Sequence, residues 1–341
     1  MHTIAITCLG EFEVVVAGRS AAHFPTDKVR ALLVYLALEA DRPHSRQVLT
    51  GLLWPDQPQD RAFSNLRTTL RRLRQALDAA APSVADAALI TTRQTLRAHP
   101  EAFSVDVLTI ADLSAACAGH DHADLTTCAP CLMRLEQVAT LYQGHLLAGF
   151  SLPDAAPFEE WLVIRREMVE QQALAALQTL AEAHLMQGQY DQALAYATRQ
   201  LTLDPYREHA YRQAMRALAS TSQRASALAH YERWAEALRN ELGVEPDAET
   251  TALAEQIRSG RFRPPVAPVN ALALADPLLA PPATLPAYVG AFVGREQNVA
   301  ELMALLEQPE VRLLTIVGAG GMGKTRLAAE VARLQQRRHP D

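Results

Sequence analysis

Residues 52–77, LLWPDQPQDRAFSNLRTTLRRLRQAL, constrain the fold more than any other stretch of this chain. Proline has no backbone N–H to leave unpaired in a first turn, so Pro58 predicts a helix start. Leu66, Leu70, Leu73 and Leu77 then recur at intervals of four, three and four, which puts them on one helix face. The opposite face carries Arg61, Ser64, Asn65, Thr68, Arg71, Arg72 and Gln75. Five arginines fall within 14 positions, and no acid lies between Asp60 and Asp78. Such a helix would be roughly 30 Å long at 1.5 Å per residue. A leucine seam backed by arginines, hydroxyls and amides suits a helix lying in a DNA major groove. A solvated face that happens to be basic is the competing reading, and the helix alone does not separate the two.

Its surroundings do. Residues 3–7 and 11–16 alternate and are rich in β-branched side chains, with Gly10 and Gly18 as punctuation, and predict short strands. Thr26 or Asp27 caps a helix running to Glu39, with Leu32, Leu33, Tyr35 and Leu36 among its apolar positions. Pro43 breaks it. Ser45 caps a short helix ending near Trp54, and Pro55 forces the chain into a loop before the basic helix. Trp54 reads as a core aromatic. Residues 88–100, ALITTRQTLRAHP, give two β-prone runs around Arg93 and Gln94, a hairpin without the usual Asn-Gly signal. Strands, three helices and a hairpin are the order of a winged helix-turn-helix.

Charge follows this division. The net charge of −6 conceals 12 Lys and Arg against 9 Asp and Glu in residues 1–97, and 20 against 29 beyond them. A nucleic-acid contact therefore belongs at the front of the chain. No apolar run approaches the roughly 18 residues of a membrane span, and the first 25 residues carry acids where a signal peptide would be apolar. Four cysteines, three of them between 117 and 131, do not make a secreted disulfide framework. A cytoplasmic protein with no membrane partner is expected.

Lys28-Val29-Arg30-Ala31-Leu32-Leu33, Leu52-Leu53-Trp54-Pro55, and Asn65-Leu66-Arg67 leading to Leu73-Arg74 resemble the DNA-binding domain of SARP-type bacterial transcriptional activators. The resemblance covers most of residues 1–100 and implies that helix 58–77 is the recognition helix and that Thr91–Arg97 belongs to the wing. The candidate DNA contacts are Arg61, Ser64, Asn65, Arg67, Thr68, Arg71, Arg72 and Gln75, with Thr92 and Arg93 in the wing. For Arg67 and Arg74, at the edges of the apolar face, phosphate contact and intradomain ion pairing stay equally open.

Residues 102–258 are almost continuously helical in pattern and contain an internal repeat. Leu177, Ala181, His184, Gly188, Tyr190, Ala193, Ala197 and Pro205 fit the tetratricopeptide spacing, and Tyr211, Met215, Leu218, Ser222, Ala227 and Tyr231 repeat it 34 residues later. Tyr142-Gln143-Gly144, Leu147-Ala148-Gly149-Phe150 and Asn240-Glu241-Leu242-Gly243-Val244-Glu245-Pro246 resemble the bacterial transcriptional activation domain that follows the winged helix in SARP proteins. That likeness implies RNA polymerase contact or self-association; a purely structural spacer is the alternative. Inside this region, Cys117, His120, His122, Cys128 and Cys131 offer enough thiolate and imidazole for a structural zinc ion. The candidate ligands are His120, His122, Cys128 and Cys131, against the plainer reading of a reduced, unliganded loop. No βαβ pattern surrounds Cys128 and Cys131, which disfavours a thioredoxin-like use.

Seven prolines within residues 261–286 mark an extended linker. Beyond it, residues 311–317 (VRLLTIV) read as a buried strand, followed by Gly318, Ala319, Gly320, Gly321, Met322, Gly323, Lys324 and Thr325 and then a helical stretch from Arg326. This is the Walker A pattern: glycine N–H groups wrap phosphates, Lys324 reaches the β- and γ-phosphates of ATP or ADP, and Thr325 ligates Mg²⁺. Phe292-Val293-Gly294-Arg295-Glu296 resembles the opening of the nucleotide-binding domain of STAND-type (NB-ARC) switch ATPases. Only 16 residues follow Thr325, without a Walker B aspartate, so no ATPase activity and weak or no nucleotide binding are expected.

The expected chain is mainly α. It comprises a winged helix-turn-helix at 1–100, a tetratricopeptide-like activation domain at 101–258, a linker at 259–290 and the first βα unit of an α/β P-loop NTPase domain at 291–341. The expected function is sequence-specific binding to double-stranded promoter DNA as an activator, as a homodimer on direct repeats. The rival from another class is a nucleotide-driven STAND ATPase whose N-terminal domains are protein-interaction modules; a tetratricopeptide adaptor without a DNA role is a third.

Overall fold

The computed structural model describes residues 4–21, 24–264, 295–306, 308, 311, 314–316 and 324–338. Contacts divide the chain into two units, Met1–Val269 and Asn270–Asp341.

In the first unit, β1 (Ile4–Thr7) and β2 (Glu13–Val16) pair antiparallel with Ile4 opposite Val16, and β3 (Arg19–Ser20) extends the sheet. Period-two alternation buries Ile4, Ile6, Val14 and Val16 on one face. The short β3 was not evident in the sequence. Helix α1 (Asp27–Leu38) starts behind Thr26, and nine of its twelve residues are buried, which makes it the central helix of the domain. Strand β4 (His44–Ser45) leads into α2 (Arg46–Leu53), where the Ser45 side chain accepts from the Val48 N–H as the N-cap. Helix α3 (Gln59–Ala80) has Pro58 as its N-cap and not as its first residue, and it runs three residues past the expected end at 77. Leu66, Leu70, Leu73 and Leu77 are all buried. Each such side chain stabilises the fold by roughly 1.5–3 kcal/mol.

A short helix α4 (Val84–Ala88) precedes the hairpin of β5 (Leu89–Thr91) and β6 (Thr95–Ala98), with Leu89 opposite Ala98. β4 adds to β6, giving a second sheet of order β4-β6-β5. Strand β7 (Phe103–Val105) returns to pair parallel with β1, completing a sheet of order β3-β2-β1-β7.

The helical part follows without a break in the core. It comprises α5 (Asp106–Ala118), α6 (Ala129–Leu141), the 31-residue α7 (Ala156–Met186), α8 (Tyr190–Leu203), α9 (Glu208–Ser220), α10 (Arg224–Ala237) and α11 (Ala248–Arg258). The second half of α7 pairs with α8 and α9 with α10, as the 34-residue repeat requires. Leu177, Ala181, Ala193, Ala197, Met215, Leu218 and Ala227 are buried at the expected positions. Gly188 closes the first hairpin turn at φ +73°, where a side chain would be strained. After α10 the helix widens into a π-helical turn, Leu238–Leu242, ended by Gly243 at φ +68°.

One hydrophobic core extends from Ile4 of β1 to Leu180 of α7. The segment 142–150 stitches the two parts together: Leu9 bridges Leu146, the Leu147 N–H donates to the Cys8 carbonyl at 2.8 Å, and a Cβ on Gly144 would meet Gly10 Cα at 3.3 Å. Lys28 donates to the Leu53 carbonyl at 2.6 Å, closing the end of α2, and pairs with Asp154 at 2.9 Å. Arg30 lies over the rings of Phe12 and Phe150, 5.1 and 5.7 Å from their centroids.

In the second unit, α12 (Glu296–Leu306) packs on α13 (Lys324–Arg338) through Met303, Leu327 and Val331. Of the strand expected at 311–317, residues 311 and 314–316 are described and belong to no strand; the rest lie outside the described residues. A strand needs a neighbour for its N–H and C=O groups, and no strand is present among the described residues of this unit. Among the described residues, no helix is long and apolar enough to cross a membrane.

Candidate nucleic-acid interface

The α2–turn–α3 pair is held by the leucine seam on one side, and that fixes what the other side presents. Arg61, Ser64, Arg67, Arg71, Arg72 and Gln75 are exposed on α3, with Asn65 and Thr68 half-buried beside them. Positions 61, 64/65, 68, 71/72 and 75 form one stripe along the helix, about 21 Å long at 1.5 Å per residue. A helix of roughly 10–12 Å diameter matches a major groove about 12 Å wide. Arg61, Arg67, Arg71, Arg72 and Arg93 make no ion pair and no hydrogen bond among the described residues. Five guanidinium groups thus stand in solvent with their donors free.

Other arginines of this region are committed inside the fold. Arg74 donates to the Thr91 hydroxyl at 2.8 Å and lies 3.5 Å from Asp86, which fastens α3 to the hairpin. Of the two readings left open for Arg74, intradomain pairing is the one realised. Arg46 at the start of α2 donates to the Thr92 carbonyl at 3.1 Å, and its backbone N–H donates to the Gln94 carbonyl at 2.9 Å. Arg97 reaches the Ala40 and Asp41 carbonyls at 3.0 and 3.2 Å. Arg74 thus ties α3 to the hairpin, while Arg46 and Arg97 tie the hairpin to α2 and to residues 40–41. Sequence reasoning missed Arg46 and Arg97; a cation next to a turn carries no local sign of the carbonyl it will cap.

Thr92 shapes the turn. Its Oγ1 accepts from the Thr95 and Gln94 N–H groups at 2.8 and 3.2 Å and bonds the Thr95 hydroxyl at 2.8 Å, which leaves Arg93 exposed at the tip. Trp54 is 9% exposed, with Lys28 Nζ 5.8 Å from its ring centroid, a core residue as expected.

The same domain grips α7. Glu39, 7% exposed at the end of α1, accepts from Trp161 Nε1 at 2.9 Å and from Arg165 Nε at 3.1 Å, with a second, closer contact from Arg165 Nη2. Burial alone would raise the Glu39 carboxyl, but the bonds from Trp161 and Arg165 outweigh it and hold the group below the usual carboxylate range.

Of the remaining candidates, His120, His122, Cys128 and Cys131 come together between α5 and α6, each offering one ligand atom within 4.8 Å of the others. Cys117 is buried nearby and stands outside that group; its Sγ points to the Cys131 carbonyl at 3.7 Å. Gly318, Gly320, Gly321 and Gly323 lie outside the described residues, as does the Thr325 side chain, and Lys324 is the first residue of α13.

Residues 105–258 match the bacterial transcriptional activator domain. Over 325 residues, 92% of its length, the chain is 31% identical to the regulatory protein AfsR of Streptomyces coelicolor. It is 30% identical over 322 residues to the AfsR regulatory protein of Streptomyces griseus. The chain spans about a third of these relatives, 31% and 30% of their lengths. Among solved structures, Mycobacterium tuberculosis EmbR in complex with a low affinity phosphopeptide shares the fold with a TM-score of 0.58 at 22% identity. That likeness covers 76% of this chain and 66% of EmbR. The activator-domain match and the AfsR likeness support the SARP-type resemblance read from the sequence.

Proposed function

We propose that this chain is a transcriptional activator that binds promoter DNA through α3 and the β5–β6 hairpin and passes that binding on through its helical repeats. The observation that carries the reading is the set of five exposed, unpartnered arginines on a helix and hairpin locked to each other. Arg61, Arg67, Arg71, Arg72 and Arg93 supply phosphate and base-edge donors, and Ser64, Asn65, Thr68 and Gln75 supply the shorter polar groups between them. The helical part, matched as an activator domain, is the surface for RNA polymerase or a second protomer on a direct repeat. An ATP- or ADP-binding role with Mg²⁺ for residues 318–325 rests on the sequence pattern alone.

The test is selection of the full chain on random duplex DNA, sequenced and repeated across a salt series. An enriched direct repeat with half-sites about one helical turn apart supports the reading and yields the operator. Binding without enrichment, falling steeply with salt, would reduce the arginines to phosphate contacts. No binding at all would return the front domain to a protein-interaction role.

A further inference from the structure

The α5–α6 connection holds a site that the DNA-binding reading does not use. His120 Nδ1 lies 3.4 Å from Cys128 Sγ and 3.2 Å from Cys131 Sγ, and His122 Nδ1 lies 4.0 Å from Cys131 Sγ. The two imidazoles stack with centroids 5.6 Å apart. One ring nitrogen has either one proton or one lone pair, so the two sulfurs compete for His120 Nδ1. A single cation that takes a lone pair from each of the four atoms resolves the crowding. Ligands about 2.1 Å (nitrogen) and 2.3 Å (sulfur) from a tetrahedral zinc are separated from one another by roughly 3.4–3.8 Å. The three spacings given lie within about 0.4 Å of that, and all four ligand atoms lie within 4.8 Å of one another.

We propose that His120 Nδ1, His122 Nδ1, Cys128 Sγ and Cys131 Sγ hold one structural Zn²⁺. Two thiolates and two neutral imidazoles neutralise the ion, and two soft sulfurs select zinc over magnesium or calcium. Four protein ligands leave no open position for substrate, so the ion staples and does not catalyse. Arg134 Nη1 lies 3.6 Å from Cys131 Sγ, and both cysteines sit at the N-terminal end of α6. Asp124 folds the intervening loop by accepting from the Thr126 N–H and hydroxyl at 2.8 Å each, which brings the Cys128 thiol back under the histidines. The staple has a purpose beyond the loop. The same α5 begins with Asp106, whose carboxylate receives the Cys8 and Leu9 N–H groups at 2.7 and 2.8 Å, so fixing α5 to α6 braces the sheet of the DNA-binding part.

The full chain, expressed with zinc in the medium and passed over a desalting column, should carry one zinc per chain by elemental analysis. Replacing the zinc with Co²⁺ should give the intense visible bands of tetrahedral cobalt and a thiolate charge-transfer band. Cys128→Ser and Cys131→Ser should lose both signals, and Cys117→Ser should keep them. Chelation of the native chain should speed hydrogen exchange in α5 and α6 before α8–α11. Folded native chain with no bound zinc and only the pale spectrum of hexaaquo cobalt would overturn the proposal, as would an isolated Cys128–Cys131 disulfide. These readouts involve no DNA, so they are independent of the promoter-binding reading.

Discussion

Glu39→Gln should weaken the joint between α1 and α7 by about 2 kcal/mol, and Glu39→Ala by about 3–4 kcal/mol. Truncating one partner of a buried ion pair costs about 3–5 kcal/mol because the other charge is stranded. Arg165 retains 29% side-chain exposure, so water partly rescues it and the lower end applies. Glutamine keeps an oxygen for Trp161 Nε1 and loses the charge that faces Arg165 and, at 3.5 Å, Arg42; alanine also loses the bonds to Trp161 and Arg165. The Glu39→Gln, Arg165→Ala double-mutant cycle should give a coupling of roughly 1–3 kcal/mol. Urea unfolding followed by tryptophan fluorescence reads it, since Trp161 is part of the joint. The pH dependence supplies an independent check. Because the folded-state pKa of Glu39 is depressed, its contribution is fully present above the unfolded value, about 4.3, and is lost as pH falls through the folded value. The gap between native chain and Glu39→Gln should be flat from about pH 5 to 8 and shrink below about pH 4. A coupling under about 0.5 kcal/mol, or a gap that persists unchanged into acid, would refute the reasoning.

Three further outcomes follow. If each of the five free arginines neutralises one phosphate, log affinity should fall against log salt with a slope of about −4.5, roughly 500-fold over a fourfold salt increase; Arg71→Ala with Arg72→Ala should reduce the slope to about −2.7, roughly 40-fold. A filter-binding salt series decides this, and an unchanged slope would remove α3 from the interface. Asp106→Ala strands the Cys8 and Leu9 N–H groups and should cost about 1–3 kcal/mol for each, measured by urea unfolding; a change below 1 kcal/mol would mean that water replaces the carboxylate. The chain should release no phosphate from ATP, and Lys324→Ala should leave its DNA affinity unchanged; turnover that disappears on that substitution would restore the switch-ATPase reading.

Much of the front domain was legible because its signals are local. The leucine seam of α3, the Ser45 cap and the alternation of β1 and β2 each decide their own structure within a few residues. The long-range pairings were not. Strand β7 reads as three residues at the edge of a helical region, and its partner β1 is 99 positions away. Arg74, at the edge of the apolar face, left phosphate contact and ion pairing equally open; Asp86 on α4 and Thr91 on β5 settle it. The His and Cys residues were noticed as ligand types, but their spacing matches no common finger, and only the folded loop shows that four of them converge while Cys117 does not.

The shared core from Ile4 to Leu180 also bears on how such regulators diversify. Where domains are strung on linkers, recombination can exchange a DNA reader for another and leave the effector part intact. Here a crossover between the hairpin and α5 would separate β7 from β1, Asp106 from the Cys8 amide, Glu39 from Arg165 and Gly144 from Gly10. The front and helical parts would therefore be inherited as a block, and, on the promoter-binding proposal, a new operator preference would arise by substitution along the exposed stripe of α3.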